Sequence, residues 1–157
     1  MDRTLGTLLR HLIELLDEGV QRAYDDLGLD YRPRFTPVVR VLRDGHAQSV
    51  RGIAESAGLT HSAASQTLQL MRREGLVEDA PNRGVVDGRE RRVVASERLK
   101  SMLPILETQW RATNAAAADL DAELSISLHQ AAREAIAALE HWSFAKRIAL
   151  RQGGDNR

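Results

Sequence analysis

The stretch from Ser49 to Ala95 limits the possible folds more than any other part of the chain. Two short helical patterns stand close together in it, joined at Ala57-Gly58-Leu59. Gly58 can take the left-handed conformation that ends the first, because it has no Cβ to oppose a positive φ. Thr60 can then cap the second through its hydroxyl. Two helices crossing steeply over a short glycine-containing turn make a helix-turn-helix. The second pattern ends at Gly75, where Leu76 and Val77 open a strand and Val93, Val94 and Ala95 supply its return partner. The tip between them is polar and, with the residues leading into the return strand, carries four arginines: Arg83, Arg89, Arg91 and Arg92. A helix-turn-helix followed by a basic hairpin is a winged helix, a combination suited to duplex DNA.

Periodicity orients the second helix. Ala64, Leu68, Met71 and Gly75 recur at spacings of four, three and four, a stripe that must pack inward. His61, Ser62, Ser65, Gln66 and Gln69 fall towards the other side. They are short or amide-bearing and uncharged, so they can approach base edges, and glutamine can bond adenine through N6 and N7 together. The bland alternative is an ordinary polar helix surface; the adjacent basic hairpin favours the DNA reading. Thr60, Arg72 and Arg73 extend the expected DNA surface along the helix, and Arg83, Arg89 and Arg91 extend it over the wing.

The run Ala64-Ser65-Gln66, then Leu68, Met71 and Glu74-Gly75-Leu76-Val77, resembles the recognition helix of the MarR family of bacterial transcription factors. The wing adds Asp87-Gly88-Arg89 and then Arg92-Val93-Val94-Ala95-Ser96-Glu97. The resemblance implies that Arg89 enters the minor groove and that Ser96 starts the next long helix. It covers nearly the whole chain. Leu99 and Thr67 depart from it, at positions where members usually carry glycine and an apolar residue. It further implies a repressor; the apolar surface of the terminal helices, beyond what one winged helix can bury, predicts a homodimer and with it an inverted-repeat operator. Family members often bind small aromatic, anionic ligands, and His11, Tyr31, Arg34, Phe35 and Trp110 are the residues expected near such a cleft. The alternative is that these five are plain interface and core packing.

With 157 residues the chain suffices for one domain with a sizeable core. The expected fold is mostly α with a small β-hairpin wing: a winged helix-turn-helix over residues 36–95, flanked by long dimerisation helices at 1–30 and 97–150, with a disordered tail at 151–157. No apolar run approaches the roughly 20 residues of a membrane span, and no leader pattern opens the chain, so a cytoplasmic protein is expected. Cysteine is absent, which excludes disulfides and thiol chemistry. Net charge is zero, with 22 basic and 22 acidic residues, so DNA binding must rest on local charge. From Arg83 to Arg92 four arginines outnumber Asp87 and Glu90, while Glu14, Asp17, Glu18, Asp25 and Asp26 gather acidity elsewhere.

Leu5, Leu8, Leu9, Leu12, Ile13, Leu16, Val20, Ala23, Tyr24 and Leu27 predict one long amphipathic helix ending near Gly28. Thr36-Pro37 is read as a cap followed by proline at the first helical position, and Ser49 as the cap of the first helix of the helix-turn-helix. Residues around Gln48 could add a third strand to the wing. Ser96 should cap a helix running to about Leu120 with Pro104 inside it. A break is expected at Leu124-Ser125, with Ser125 as the next cap, and then one final helix carrying Leu128 through Leu150.

Other functions fare worse. The histidines His11, His46, His61, His129 and His141 include no pair spaced by four residues, so neither a metal nor another cofactor is expected. Gly84-Val85-Val86-Asp87-Gly88 lacks the spacing of a phosphate-cradling loop, and no enzyme is expected. A winged helix that binds only protein remains the alternative.

Overall fold

The structure, a computed structural model, describes residues 3–81 and 91–153. Helix α1 (Leu5–Asp26) starts at Thr4, whose hydroxyl accepts from the Thr7 N–H at 3.3 Å, and the chain turns away at Gly28 with φ +66°. A 3-10 turn, Pro33–Phe35, leads directly into α2 (Thr36–Leu42). Next come β1 (Gln48–Ser49), α3 (Val50–Ala57) and α4 (His61–Arg73). Strands β2 (Val77–Asp79) and β3 (Arg92–Ala95) complete an antiparallel sheet in the order β1-β3-β2, with Gln48 opposite Val93 and Val77 opposite Ala95. Helices α5 (Glu97–Glu123), α6 (Leu128–His141) and α7 (Phe144–Gly153) follow.

Local chemistry places these boundaries. The Ser49 hydroxyl accepts from the Gly52 N–H at 3.1 Å and starts α3. Gly58 closes α3 in the left-handed region, at φ +66°. The Ser96 hydroxyl accepts from the Leu99 N–H at 3.2 Å and starts α5. Gln48–Ser49 does form the third strand.

The expected single domain divides into two compact units whose boundary follows Trp110 in sequence. The first holds the hydrophobic core: Tyr24, Tyr31, Phe35, Leu42, Ile53, Leu68, Met71, Leu76, Leu99 and Leu106 are all essentially inaccessible. In the second, α6 buries no residue. Its N-terminus is organised by Asp121, whose carboxylate accepts from the Ser127 hydroxyl at 2.6 Å and the Leu128 N–H at 2.7 Å. The Ser127 bond, foremost, holds the Asp121 carboxyl below its ordinary range.

Four expectations need correction. Thr36 is the first residue of α2 and not its cap, because the 3-10 turn already supplies the helical start; its hydroxyl meets the Tyr31 hydroxyl at 3.2 Å instead. Ser127 and not Ser125 caps α6, since Asp121 grips Ser127. The last helix is two: Trp142 is extended, at φ −143° and ψ 105°, and the Ser143 hydroxyl accepts from the Lys146 N–H at the start of α7. Residues 151–153, assigned to a disordered tail, continue α7. No helix among the described residues is long and apolar enough to cross a membrane.

Candidate nucleic-acid interface

Helix α4 is seated by Ala64, Thr67, Leu68 and Met71, all buried. Gly75, placed on the same stripe by periodicity, is exposed and forms the turn after the helix at φ +69°. Seating α4 in this way leaves Thr60, His61, Ser62, Gln66 and Gln69 exposed and Ser65 half-buried. The N-terminal end has no acidic side chain in its first turn, and the Thr60 hydroxyl accepts from the Ala63 N–H at 3.1 Å. The positive end of the helix dipole thus lies at the end of α4 that carries Thr60, His61 and Ser62, which suits an anionic backbone.

The basic residues divide. Arg73 is exposed. Arg72, expected to reach DNA, donates to the Asp79 carboxylate at 2.6 Å and joins the end of α4 to the first wing strand. Arg91 and Arg92 are exposed where the wing returns, Arg92 opposite Ser49 in the sheet. Arg83, Arg89 and the Asp87-Gly88-Arg89 motif lie outside the described residues.

The five residues expected around a ligand cleft are not brought together on an accessible surface. Tyr31, Phe35 and Trp110 are buried, with Tyr31 packed edge-on against both Tyr24 and Phe35 at centroid distances of 4.8 and 5.8 Å. The indole N–H of Trp110 donates to the Tyr24 hydroxyl at 3.1 Å. These rings belong to the core, where each buries a large apolar area. Burial pushes the Tyr31 phenol well above its ordinary range. Arg34 and His11 stay exposed, the latter 3.8 Å from Glu14.

Periodicity gave no hint of three other cations. Arg40 lies over the Trp110 ring, 5.1 Å from its centroid. Arg32 pairs with Glu74 at 2.9 Å, and Arg98 donates to the Glu74 carbonyl at 2.6 Å. Each is joined to a residue far away in sequence, so no local spacing could mark it.

No protein-family model and no curated protein matches the sequence. Solved structures do match. The Mycobacterium tuberculosis transcriptional regulator MosR, solved in complex with DNA, is 21% identical, with 92% of this chain and 99% of that one covered at a TM-score of 0.66. A MarR family transcriptional regulator from Silicibacter pomeroyi is 19% identical over 88% of this chain and 98% of its own, at a TM-score of 0.59. BpsR of Bordetella bronchiseptica, whose DNA binding is regulated by 6-hydroxynicotinic acid, is 16% identical over 71% and 79%, at 0.51. At such identities the likeness speaks for the fold. The chain is a winged helix-turn-helix protein. Its architecture is that of the MarR family of transcriptional regulators.

Proposed function

We propose that this protein is a homodimeric, sequence-specific DNA-binding transcriptional regulator of the MarR family, a repressor released by a small-molecule ligand. The observation that carries the reading is the outer face of α4. Its exposed residues are short and polar or amide-bearing, its first turn is free of acid, and its inner face is seated on a closed core. In this reading α4 enters a major groove, His61, Ser62, Ser65, Gln66 and Gln69 meet base edges, and Thr60 and Arg73 meet phosphates. Arg83, Arg89 and Arg91 serve the wing, with Arg89 in the minor groove. Arg72 acts through Asp79 and not on DNA. The fold shared with DNA-bound MosR supports this assignment.

Dimerisation is supported by apolar side chains left exposed on α1, α6 and α7, among them Leu5, Ile13, Ile136, Phe144 and Ile148. Twofold pairing is the commonest closed arrangement, and it sets the half-sites of an inverted repeat about one helical turn apart, roughly 10 bp. Release by an aromatic acid is supported by the regulation of BpsR. The exposed Arg34 is the carboxylate partner in this reading, with His11 at the rim. Stacking on Tyr31, Phe35 or Trp110 would require their packing to open.

The test is a binding series on a duplex selected by the protein itself. Arg89→Ala should weaken binding on every sequence and flatten the salt dependence, by about one unit of slope for each charge removed from the DNA. Gln66→Ala should instead relax discrimination at one base position, at about 1–3 kcal/mol. Equal effects of both on all sequences would defeat the assignment. Salicylate-like acids titrated against the complex, with Arg34→Ala alongside, test the ligand arm.

A further inference from the structure

The last turn of α4 is held from outside the helix-turn-helix by residues that the DNA-reading face does not use. Glu74 caps the C-terminus of α4. Its Oε1 accepts from Arg32 at 2.9 Å, its side chain is only 16% exposed, and its Oε2 is buried without a hydrogen-bond partner. Its backbone carbonyl accepts from Nη1 of Arg98 at 2.6 Å, while Nη2 of the same guanidinium reaches Asp30 at 3.4 Å. One residue on, the Gly75 carbonyl accepts from the Ser96 hydroxyl at 2.7 Å, and the Leu76 carbonyl accepts from the Ser96 N–H at 3.0 Å. Asp30 and Arg32 belong to the segment leaving α1; Ser96 and Arg98 open α5.

This arrangement answers a need of any helix end. The final carbonyls have no partner within the helix and sit at the negative end of its dipole, so cations are favoured there. Arginine suits the position because its planar fork presents separate N–H groups, in fixed directions, to a carbonyl and a carboxylate at once. Arg98 is half-exposed, and exposed ion pairs contribute little to stability. What these bonds supply is direction. A helix whose end is fixed to two separate elements cannot swivel without breaking at least one of them.

We infer that Arg98, together with Arg32, is a positioning residue that sets the angle of the recognition helix on the segment after α1 and on the start of α5, and thereby the half-site separation the dimer accepts, without touching DNA. The inference rests on the proposed function, a dimer on two half-sites. A small swivel in each subunit is expressed twice, in opposite directions, at the operator.

The experiment is selection from a random duplex library with the full chain, its Arg98→Ala and Arg98→Lys variants, and Glu74→Gln. Two quantities are scored for each: base preference within a half-site, and the distribution of half-site separations. The wild type should select an inverted repeat with a narrow separation. Arg98→Ala should keep the half-site bases but broaden the separation. Its affinity for the wild-type spacing should fall about tenfold, a usual size for coupling between sites. Arg98→Lys should fall between the two, and Glu74→Gln should broaden the separation without changing the helix content. Unchanged separations in Arg98→Ala and Glu74→Gln would overturn the inference, as would loss of base preference in step with loss of fold. A wild type that selects no repeated site would overturn the dimeric-regulator reading and this inference with it; a sharp wild-type repeat that the variants share would overturn the inference alone.

Discussion

The winged-helix part of the chain, from Phe35 to Trp110, and the helices after Trp110 solve the problem of burying apolar surface in opposite ways. Before it, α2, α3, α4, the sheet and the start of α5 close on Phe35, Val38, Ile53, Leu68, Met71, Val93 and Leu106, each with no more than 1% of its surface exposed. After it, α6 has a helical apolar stripe of the same kind, yet Ile136 is 58% exposed and Leu139 43%. On α7, Phe144 and Leu150 are more than 60% exposed. Composition separates the two regions: 13 of the 47 residues after Trp110 are alanine and none is valine, against 8 alanines and 10 valines in the 110 residues up to it. Before Trp110 large side chains from several helices and the sheet meet around one volume, whereas α6 and α7 present an apolar stripe that another chain must cover. The part from Phe35 to Leu106 is therefore closed within a single chain, whereas α1, with Leu5, Leu8 and Ile13 exposed, joins α6 and α7 in leaving a stripe that is expected to be covered only in an assembly.

Cutting into each region puts this contrast at risk. Leu68→Ala removes a fully buried side chain from the seat of α4 and should cost about 2–5 kcal/mol in chemical unfolding. Ile136→Glu should leave the helix content of dilute protein unchanged. It should abolish the concentration dependence expected of the wild-type unfolding midpoint, about 1.4 kcal/mol per tenfold change for a dimer. A midpoint already independent of concentration in the wild type would mean that the exposed stripe has another purpose.

Smaller changes probe the first region more finely. Arg32→Ala strands the largely buried Glu74 carboxylate and should cost about 1–2 kcal/mol, discounted for the half-exposure of Arg32. Adding Glu74→Gln to that variant should recover much of the loss, because no unpaired charge then remains buried. The pH dependence should be one-sided. Burial raises the Tyr31 phenol above its ordinary value of 10.0, so in the folded chain it keeps a proton that the unfolded chain gives up. Its contribution is complete below pH 10 and lost progressively as pH rises beyond that. Tyr31→Phe should flatten the alkaline limb in a urea series, and an unchanged limb would assign that loss to other groups.

What could be read from the sequence was what is decided within a few residues. Ser49, Gly58, Thr60 and Ser96 act on backbone groups three or four positions away, and the helix-turn-helix, the return strand and the start of α5 followed from them. The choice between Ser125 and Ser127 was not local, since Asp121 decides it from the end of α5. The break at Trp142 was hidden because apolar periodicity runs through it, while Arg147 turns back to the carbonyls of Ala138 and Trp142. The outer face of α4 was legible as the complement of its buried stripe. The fate of Tyr31, Phe35 and Trp110 was not, because Trp110 meets Tyr24 from 86 positions away. Separation along the chain likewise hid the contacts of Arg98 with Glu74 and of Arg72 with Asp79.

If one region reads DNA and the other supplies the second copy, both halves of that statement can be tested at once. The measurement is sedimentation equilibrium of the full chain with a short duplex carrying its selected site, followed through protein and DNA absorbance together. Two chains per duplex, with the free protein already paired at micromolar concentration, is the predicted result. A monomer that binds the same duplex one to one with undiminished affinity would contradict it.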